Sequence, residues 1–263
     1  MRTCLVGSEM CIRDRFKGAT TFNQKLDWSM NQVNYAEEMF FNASSFNNGE
    51  TGNTMPNPLD WSMNVLQDNT GIGLGLQKMF QGATAFNQRL GLGNWVITSV
   101  RSLNNMFNGC TSITDNALSG INNWDTSNIT DMQCIFKDCN DASFVKPGIS
   151  YWNTNSLNDM NSMFYGASNF NENISTKYDI SNDLIVWDVS GAADKQQVFL
   201  NAHGFNNGDL SGQSNNPLNW NIGQANNLQQ MFSGATSFNQ PIDFSHVIIA
   251  VSYTHLTLPT TVF

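Results

Sequence analysis

The chain has 263 residues, of which 40% are hydrophobic, 11% aromatic and 13% charged, and its formal net charge is −9. An acidic chain without basic clusters lacks the Lys and Arg that give affinity for phosphate, which argues against nucleic acid and anionic membrane surfaces as partners. No apolar run approaches the length needed to cross a bilayer, so no membrane span is expected in it.

In chain order, the first segment is residues 1–15. Leu5 to Arg15 resembles the translation of a transposon-based sequencing adapter. At the other end, Val251 to Leu256 fits the reverse complement of that adapter's inner segment, and Thr257 to Thr260 fits its continuation. Two tails encoding one DNA segment in opposite orientations are expected to be artefacts rather than native sequence. Residues 1–15 and 251–263 are therefore set aside, and 16–250 is read as a single domain of about eight repeats in a fragment whose native termini are missing.

The repeat dominates that domain. Phe16, Phe40, Phe80, Phe107, Phe136, Phe164, Phe199 and Phe232 are each followed three residues on by Ala or Cys. In most units a Phe-Asn pair stands a further three residues on, as at Phe22, Phe46, Phe86, Phe170, Phe205 and Phe238. Each unit closes on Trp28, Trp61, Trp95, Trp124, Trp152, Trp187 or Trp220, with Phe244 as the variant. From Trp to the next Phe the spacing is 12 residues everywhere except between Trp61 and Phe80. The stretch from Phe-Asn to Trp varies in length. One arm of the unit is thus a fixed packing element, and the other tolerates inserted loops.

The fixed arm predicts a short helix. Ile129, Met132, Ile135, Phe136 and Cys139 share one face at 3.6 residues per turn, and Val100, Leu103, Met106, Phe107 and Cys110 repeat the pattern. Asn31, Thr98, Ser127, Asn155 and Ser190 stand where an N-cap is expected. The Trp arm predicts a half-buried strand. Leu26 and Trp28, Leu59 and Trp61, Ile185 and Trp187, and Leu218 and Trp220 are spaced by two and face the core, with the residue between them facing solvent. One strand and one helix cannot bury an apolar face alone, so the units are expected to stack as an α/β repeat, a solenoid of short strand plus short helix.

The motifs offer little chemistry. Cys110, Cys134 and Cys139 have neither CxxC spacing nor an even count, so no disulfide framework or zinc site is expected. Cys110 and Cys139 fit the small-residue core column, whereas Cys134 falls at a polar column and is expected to be exposed. The tryptophans share a face with core leucines and are read as core rather than as a sugar-stacking stripe. The column Asn23, Asn47, Asn87, Asn171, Asn206 and Asn239 reads as a ladder satisfying turn backbone. Two loops, 46–61 and 205–220, match in length and anchors, and their Glu50 and Asp209 are weak candidates for a metal such as calcium. Gly71 to Gly75 lacks the spacing of a phosphate loop and is read as an inserted surface loop. His203 and His246 have no partner at catalytic spacing. Sequons stand at Asn42, Asn128 and Asn173.

Met106 to Thr114 resembles the unit of BspA-like leucine-rich-repeat surface proteins. Trp124 to Met132 is similar to the tryptophan-containing variant of that unit, and Phe232 to Gln240 is another match. Some positions depart from the pattern: Ile113-Thr114 replaces Phe-Asn, Phe144 lies two residues late, and Lys195 stands where an apolar residue is expected. The resemblance implies a leucine-rich-repeat-like solenoid displayed at a cell surface or secreted, with adhesion or protein binding as its role. It implies no enzyme activity and no cofactor.

The candidate binding face is the outward column Asp27, Asp60, Asn94, Asn123, Tyr151, Asn219 and Asp243, one side chain per repeat for an extended protein or glycan ligand. The alternative is a carbohydrate-binding or calcium-dependent adhesin using the two long loops.

Overall fold

The computed structural model describes residues 10–11, 15–27, 30, 33–52, 57–59, 75–90 and 95–242. The fixed arm is built from turns, and its N–H groups alternate between two kinds of acceptor. In the sixth repeat Met163, Tyr165 and Ala167 donate back three residues to the carbonyls of Met160, Ser162 and Phe164. Between them Met160, Ser162, Phe164 and Gly166 donate outward to Asp194, Gln196, Val198 and Leu200 of the next repeat, at 2.8–3.2 Å. The preceding repeat is wired alike: Met132, Cys134, Phe136 and Asp138 donate to Asp159, Asn161, Met163 and Tyr165. Each repeat is therefore a rung of tight turns whose spare donors form a parallel ladder with the next rung.

Two columns explain why the arm is not helical. Glu38, Lys78, Asn105, Cys134, Ser162, Gln197 and Gln230 have φ between 54° and 57°. Gly18, Asn42, Gly82, Gly109, Asp138, Gly166, Asn201 and Gly234 have φ between 56° and 75°. Both columns fall at the third residue of an i to i+3 turn, where a type II turn requires a left-handed backbone. A right-handed helix cannot pass through such residues. The expected strand-plus-helix solenoid is thus overturned. Among the described residues there is no α-helix, one 3-10 turn at Ile121–Asn123, and four short strands. These are β1 (Met10–Cys11) paired parallel with β2 (Val33–Tyr35), and β3 (Lys177–Asp179) paired antiparallel with β4 (Leu184–Val186). Elsewhere the rungs meet through single parallel bridges, Ser102 to Asp131, Asp131 to Asp159, Asp159 to Asp194 and Asp194 to Asn227.

The expected caps are also replaced. Asp125, Asn153 and Asp188 each accept the N–H two residues on, from Ser127, Asn155 and Ser190, as Asx turns. Asp131, Asp159 and Asp194 repeat the device for Gln133, Asn161 and Gln196. Thr98 offers its carbonyl to the Asn128 amide, and Asn31 lies outside the described residues.

The aromatic columns stack as the repeat predicts. Successive rings from Phe40 through Phe80, Phe107, Phe136, Phe164, Phe199 and Phe232 lie 5.3–5.9 Å apart and within 16° of parallel. Within a rung the two phenylalanines close to 3.9 Å at Phe40 and Phe46 and 4.0 Å at Phe164 and Phe170. Each ring buried this way contributes about 1.5–3 kcal/mol, which opposes the entropy of ordering a chain with so few helical or sheet segments. The irregular rungs still fill the column: Ile113 is buried, and the late Phe144 reaches Phe170 at 6.1 Å with its ring tilted by 33°.

Candidate binding face and loop clasps

The outward column is exposed wherever it is described: Asp27, Asn123, Tyr151 and Asn219 face solvent, while Asp60, Asn94 and Asp243 lie outside the described residues. Leu218 and Trp220 flank Asn219 and are buried, so the expected in-out alternation holds in that rung. It fails at the preceding rung, where Ile185 is 47% exposed and Val186 is buried. Residues 177–186 form the β3–β4 hairpin there, and Trp187 turns with φ 52°, which moves the inward position by one residue.

That hairpin adds exposed apolar groups of its own. Tyr151, Tyr178, Ile180 and Ile185 are exposed, and Tyr178 sits opposite Ile185 across the hairpin. The Lys177 ammonium lies 4.3 Å from the centre of the Tyr151 ring, joining hairpin to column. Burial lowers the pKa of Lys177, against the pull of Glu172 and Asp179. Tyr178 donates its hydroxyl to Asp183, which raises the pKa of the phenol. Sequence reasoning missed the hairpin, although the alternating run Lys177 to Asp179, the polar turn Ser181-Asn182-Asp183 and the β-branched run after it carry a hairpin signal.

The tryptophans face inward. Trp95, Trp124, Trp152, Trp187 and Trp220 are all buried, whereas Trp28 and Trp61 lie outside the described residues. The indole N–H groups of Trp152, Trp187 and Trp220 donate to the carbonyls of Ile121, Ile149 and Ile174 at 2.7–2.9 Å. These five rings therefore have no face free for a sugar.

The two long loops share one hydrogen-bonded clasp. The Asn23 Oδ1 accepts the N–H groups of Asn47 and Gly49 at 2.8 and 2.9 Å, and its Nδ2 donates to the Glu50 carbonyl. Asn171 treats Asn206, Gly208 and Asp209 identically. Asn48 accepts from the Leu26 N–H and donates to the Asn57 carbonyl; Asn207 accepts from Ile174 and donates to Asn216. The carboxylates close each clasp. Glu50 accepts from the Asn57 amide, and Asp209 accepts from the Asn215 and Asn216 N–H groups and from the Asn216 and Gln240 side chains. Both Asp209 oxygens and Glu50 Oε1 thus accept from amides, and no group of three or more carboxylate, His or Cys side chains suited to a metal occurs among the described residues.

Another carboxylate was missed. Glu172 is buried and accepts three consecutive backbone N–H groups, from Gly148, Ile149 and Ser150 at 2.9–3.0 Å, together with the Ser150 hydroxyl. Its position, one after the Asn column, was the available signal, because Asn48 and Asn207 occupy the same place in their rungs. The Asn ladder itself forms, with Asn47 accepting from the Asn87 N–H and Asn206 from the Asn239 N–H, both at 2.8 Å.

The cysteines divide differently from expectation. Cys110 and Cys139 are buried, with thiols toward the Phe80 and Phe107 carbonyls, and burial pushes both pKa values well up. Cys134 is half-buried rather than exposed, because its left-handed backbone folds the side chain back toward Ser162 in the next rung. Lys195 is fully buried where neighbouring rungs place Met160 and Leu228, and its Nζ donates to the Ala192 carbonyl. Burial lowers its pKa to about 8, partly offset by Asp188 and Asp194.

A family model described as "Mycoplasma protein of unknown function, DUF285" matches residues 8–68, 55–119 and 114–243, nearly the whole of this stack. The chain belongs to this family. The three matches overlap, and each spans more than one rung. No curated protein and no solved structure matches the chain. No helix among the described residues is long and apolar enough to cross a membrane.

Proposed function

We propose that the chain is a non-catalytic binding module of a surface or secreted repeat protein, holding a protein ligand along the outward column and the β3–β4 hairpin. The observation that carries this reading is the exposed apolar side chains of the hairpin, Tyr178, Ile180 and Ile185, together with Tyr151 in the column. Tyr151 and Tyr178 are 60% and 58% exposed and Ile180 is 86% exposed, whereas the phenylalanine and tryptophan columns between Phe40 and Phe238 are buried wherever they are described. Exposed aromatic and aliphatic groups rimmed by polar side chains are the usual anchors of protein interfaces. The stacking of rungs supports an elongated ligand, and the resemblance to BspA-like proteins supports surface display and adhesion. Inward tryptophans, and loop carboxylates that clasp amides without a further carboxylate beside them, weigh against the sugar-stacking and calcium-dependent alternatives.

The test is binding of the fluorescently labelled chain to epithelial cell monolayers. Trypsin treatment of the cells should abolish binding while periodate treatment leaves it, and Tyr151→Ala with Ile180→Asp should lower it at least about tenfold, as loss of interface anchors does. Binding that survives trypsin but not periodate, or that ignores both substitutions, defeats the reading.

A further inference from the structure

Three Asn-Gly pairs occur in the chain, at 48–49, 108–109 and 207–208. In free peptides this pair is the one most prone to lose ammonia, since glycine leaves its own nitrogen unhindered. The fold requires the glycine at both long loops. Gly49 and Gly208 have φ of 88°, and a Cβ on Gly49 would lie 3.0 Å from the Lys25 nitrogen and on Gly208 3.1 Å from the Asn173 Cβ. The asparagine is required as well, since Asn48 and Asn207 use both ends of their amides to clasp the loop to the neighbouring rung.

We propose that Asn48 and Asn207 are latent deamidation sites, sealed by the hydrogen bonds that clasp the two long loops and converted irreversibly once a loop leaves the stack. In the closed state both reacting groups are occupied. The attacking nitrogens of Gly49 and Gly208 donate at 2.9 Å to Asn23 and Asn171. The amides under attack are buried; Asn207 Nδ2 donates to the Ser175 hydroxyl and the Asn216 carbonyl, both at 2.7 Å, and Asn48 Nδ2 to the Asn57 carbonyl at 2.8 Å. When the loop opens, the glycine nitrogen loses its proton and bonds to the asparagine Cγ. The bond from Cγ to Nδ2 breaks, ammonia leaves, and the succinimide takes up one water to give aspartate or isoaspartate. Neither product re-forms the clasp. Aspartate turns a donor into a second acceptor facing the Asn57 or Asn216 carbonyl, and isoaspartate lengthens the backbone by one methylene. Asn108 is the internal contrast at the amide: the Gly109 N–H is also held, by the Lys137 carbonyl at 2.8 Å, but the Asn108 side chain is half-buried and its Nδ2 donates to Asn105 of its own rung instead of clasping a neighbour.

The test is peptide mapping by mass spectrometry of the full chain held at mildly alkaline pH, folded and in concentrated urea. In urea the three sites should convert at similar rates. In the folded protein Asn48 and Asn207 should be at least about tenfold slower than in urea, as for a reaction gated by local opening, with Asn108 ahead of both. Asn171→Ala, which frees the Gly208 nitrogen, should speed Asn207 while Asn48 in the same molecule stays slow. Conversion of Asn48 or Asn207 in the folded protein at the urea rate overturns the proposal, whether or not the variant folds. So does recovery of amide protection at Gly49 and Gly208 when the fully converted protein is returned from urea to buffer.

Discussion

The two arms of each rung solve one problem in opposite ways. Between Trp and the next Phe the rungs are joined by backbone: apart from Asx turns such as those of Asp131 and Asp159, the N–H groups bond alternately within the turn and across to the next rung. Between Phe-Asn and Trp side chains join the backbone as acceptors: Asn23, Asn48, Asn171, Asn207, Glu172 and Asp209 hold the loops by their amides. A backbone ladder demands constant length, because one extra residue shifts every later donor. A clasp made by side groups demands only two anchors, so the segment between them is free to grow. This is why the first arm keeps its 12-residue spacing in every rung but the one between Trp61 and Phe80, while the second carries a hairpin in one rung and long loops in two others.

The sharpest break of that contrast is a pair of insertions. One glycine placed between Ser162 and Met163 should displace the ladder donors of Phe164 and Gly166 and turn Phe164 out of its column, at a cost on the order of 5 kcal/mol in urea denaturation. The same insertion between Ser211 and Gly212 should cost less than about 1 kcal/mol. Equal costs would remove the distinction between the arms. Next, Phe164→Ala should lose about 3–5 kcal/mol, since its ring lies between those of Phe136 and Phe199 at 5.9 and 5.6 Å. In the clasp arm, Glu172→Gln should lose about 2 kcal/mol, because an amide presents only one acceptor oxygen to three N–H donors held by a buried side chain; calorimetry would read this as a lower melting temperature.

Lys195→Met should act in the opposite direction, stabilising the protein by about 1–2 kcal/mol at neutral pH by removing a buried ammonium. With a folded pKa of about 8 against an ordinary 10.5, the unfolded chain holds more proton between those values. Stability should therefore rise as pH climbs through that window, and the Met variant should lose this contribution to the slope. The smallest effect is expected at Asp159, whose pKa burial raises above the ordinary 3.8, the Asn161 N–H opposing and the neighbouring Asp131 and Asp194 charges adding to it. The folded state takes up that proton first, so its contribution to stability is lost as pH rises through the raised value. Asp159→Asn should remove this dependence and change stability at neutral pH by less than about 1 kcal/mol. A large loss there would mean that the carboxylate charge, and not only the Asx turn to Asn161, supports the rung.

The columns of Phe, Ala and Trp, the Asn ladder and the paired loops were legible because burial periodicity is written in residue type. The backbone was not, because an apolar spacing of three and four residues is shared by a helix and by a run of i to i+3 turns. The sign of the answer lay in a polar detail, the column Gly18, Asn42, Gly82, Gly109, Asp138, Gly166, Asn201 and Gly234, residues that tolerate φ above zero. Its members also interlock: a Cβ on Gly166 would collide with Asp138 Oδ1 of the preceding rung, and one on Gly234 with Asn201 Oδ1.

By itself the sequence determined which side chains are hidden from water and that successive units share one register, since an aromatic repeated at constant spacing finds shelter only against its own copies. The tertiary structure decided which atoms the peptide groups bond. An N–H such as that of Phe164 can close a helix or reach the Val198 carbonyl at 2.9 Å, and only the presence of the next rung makes the second choice available.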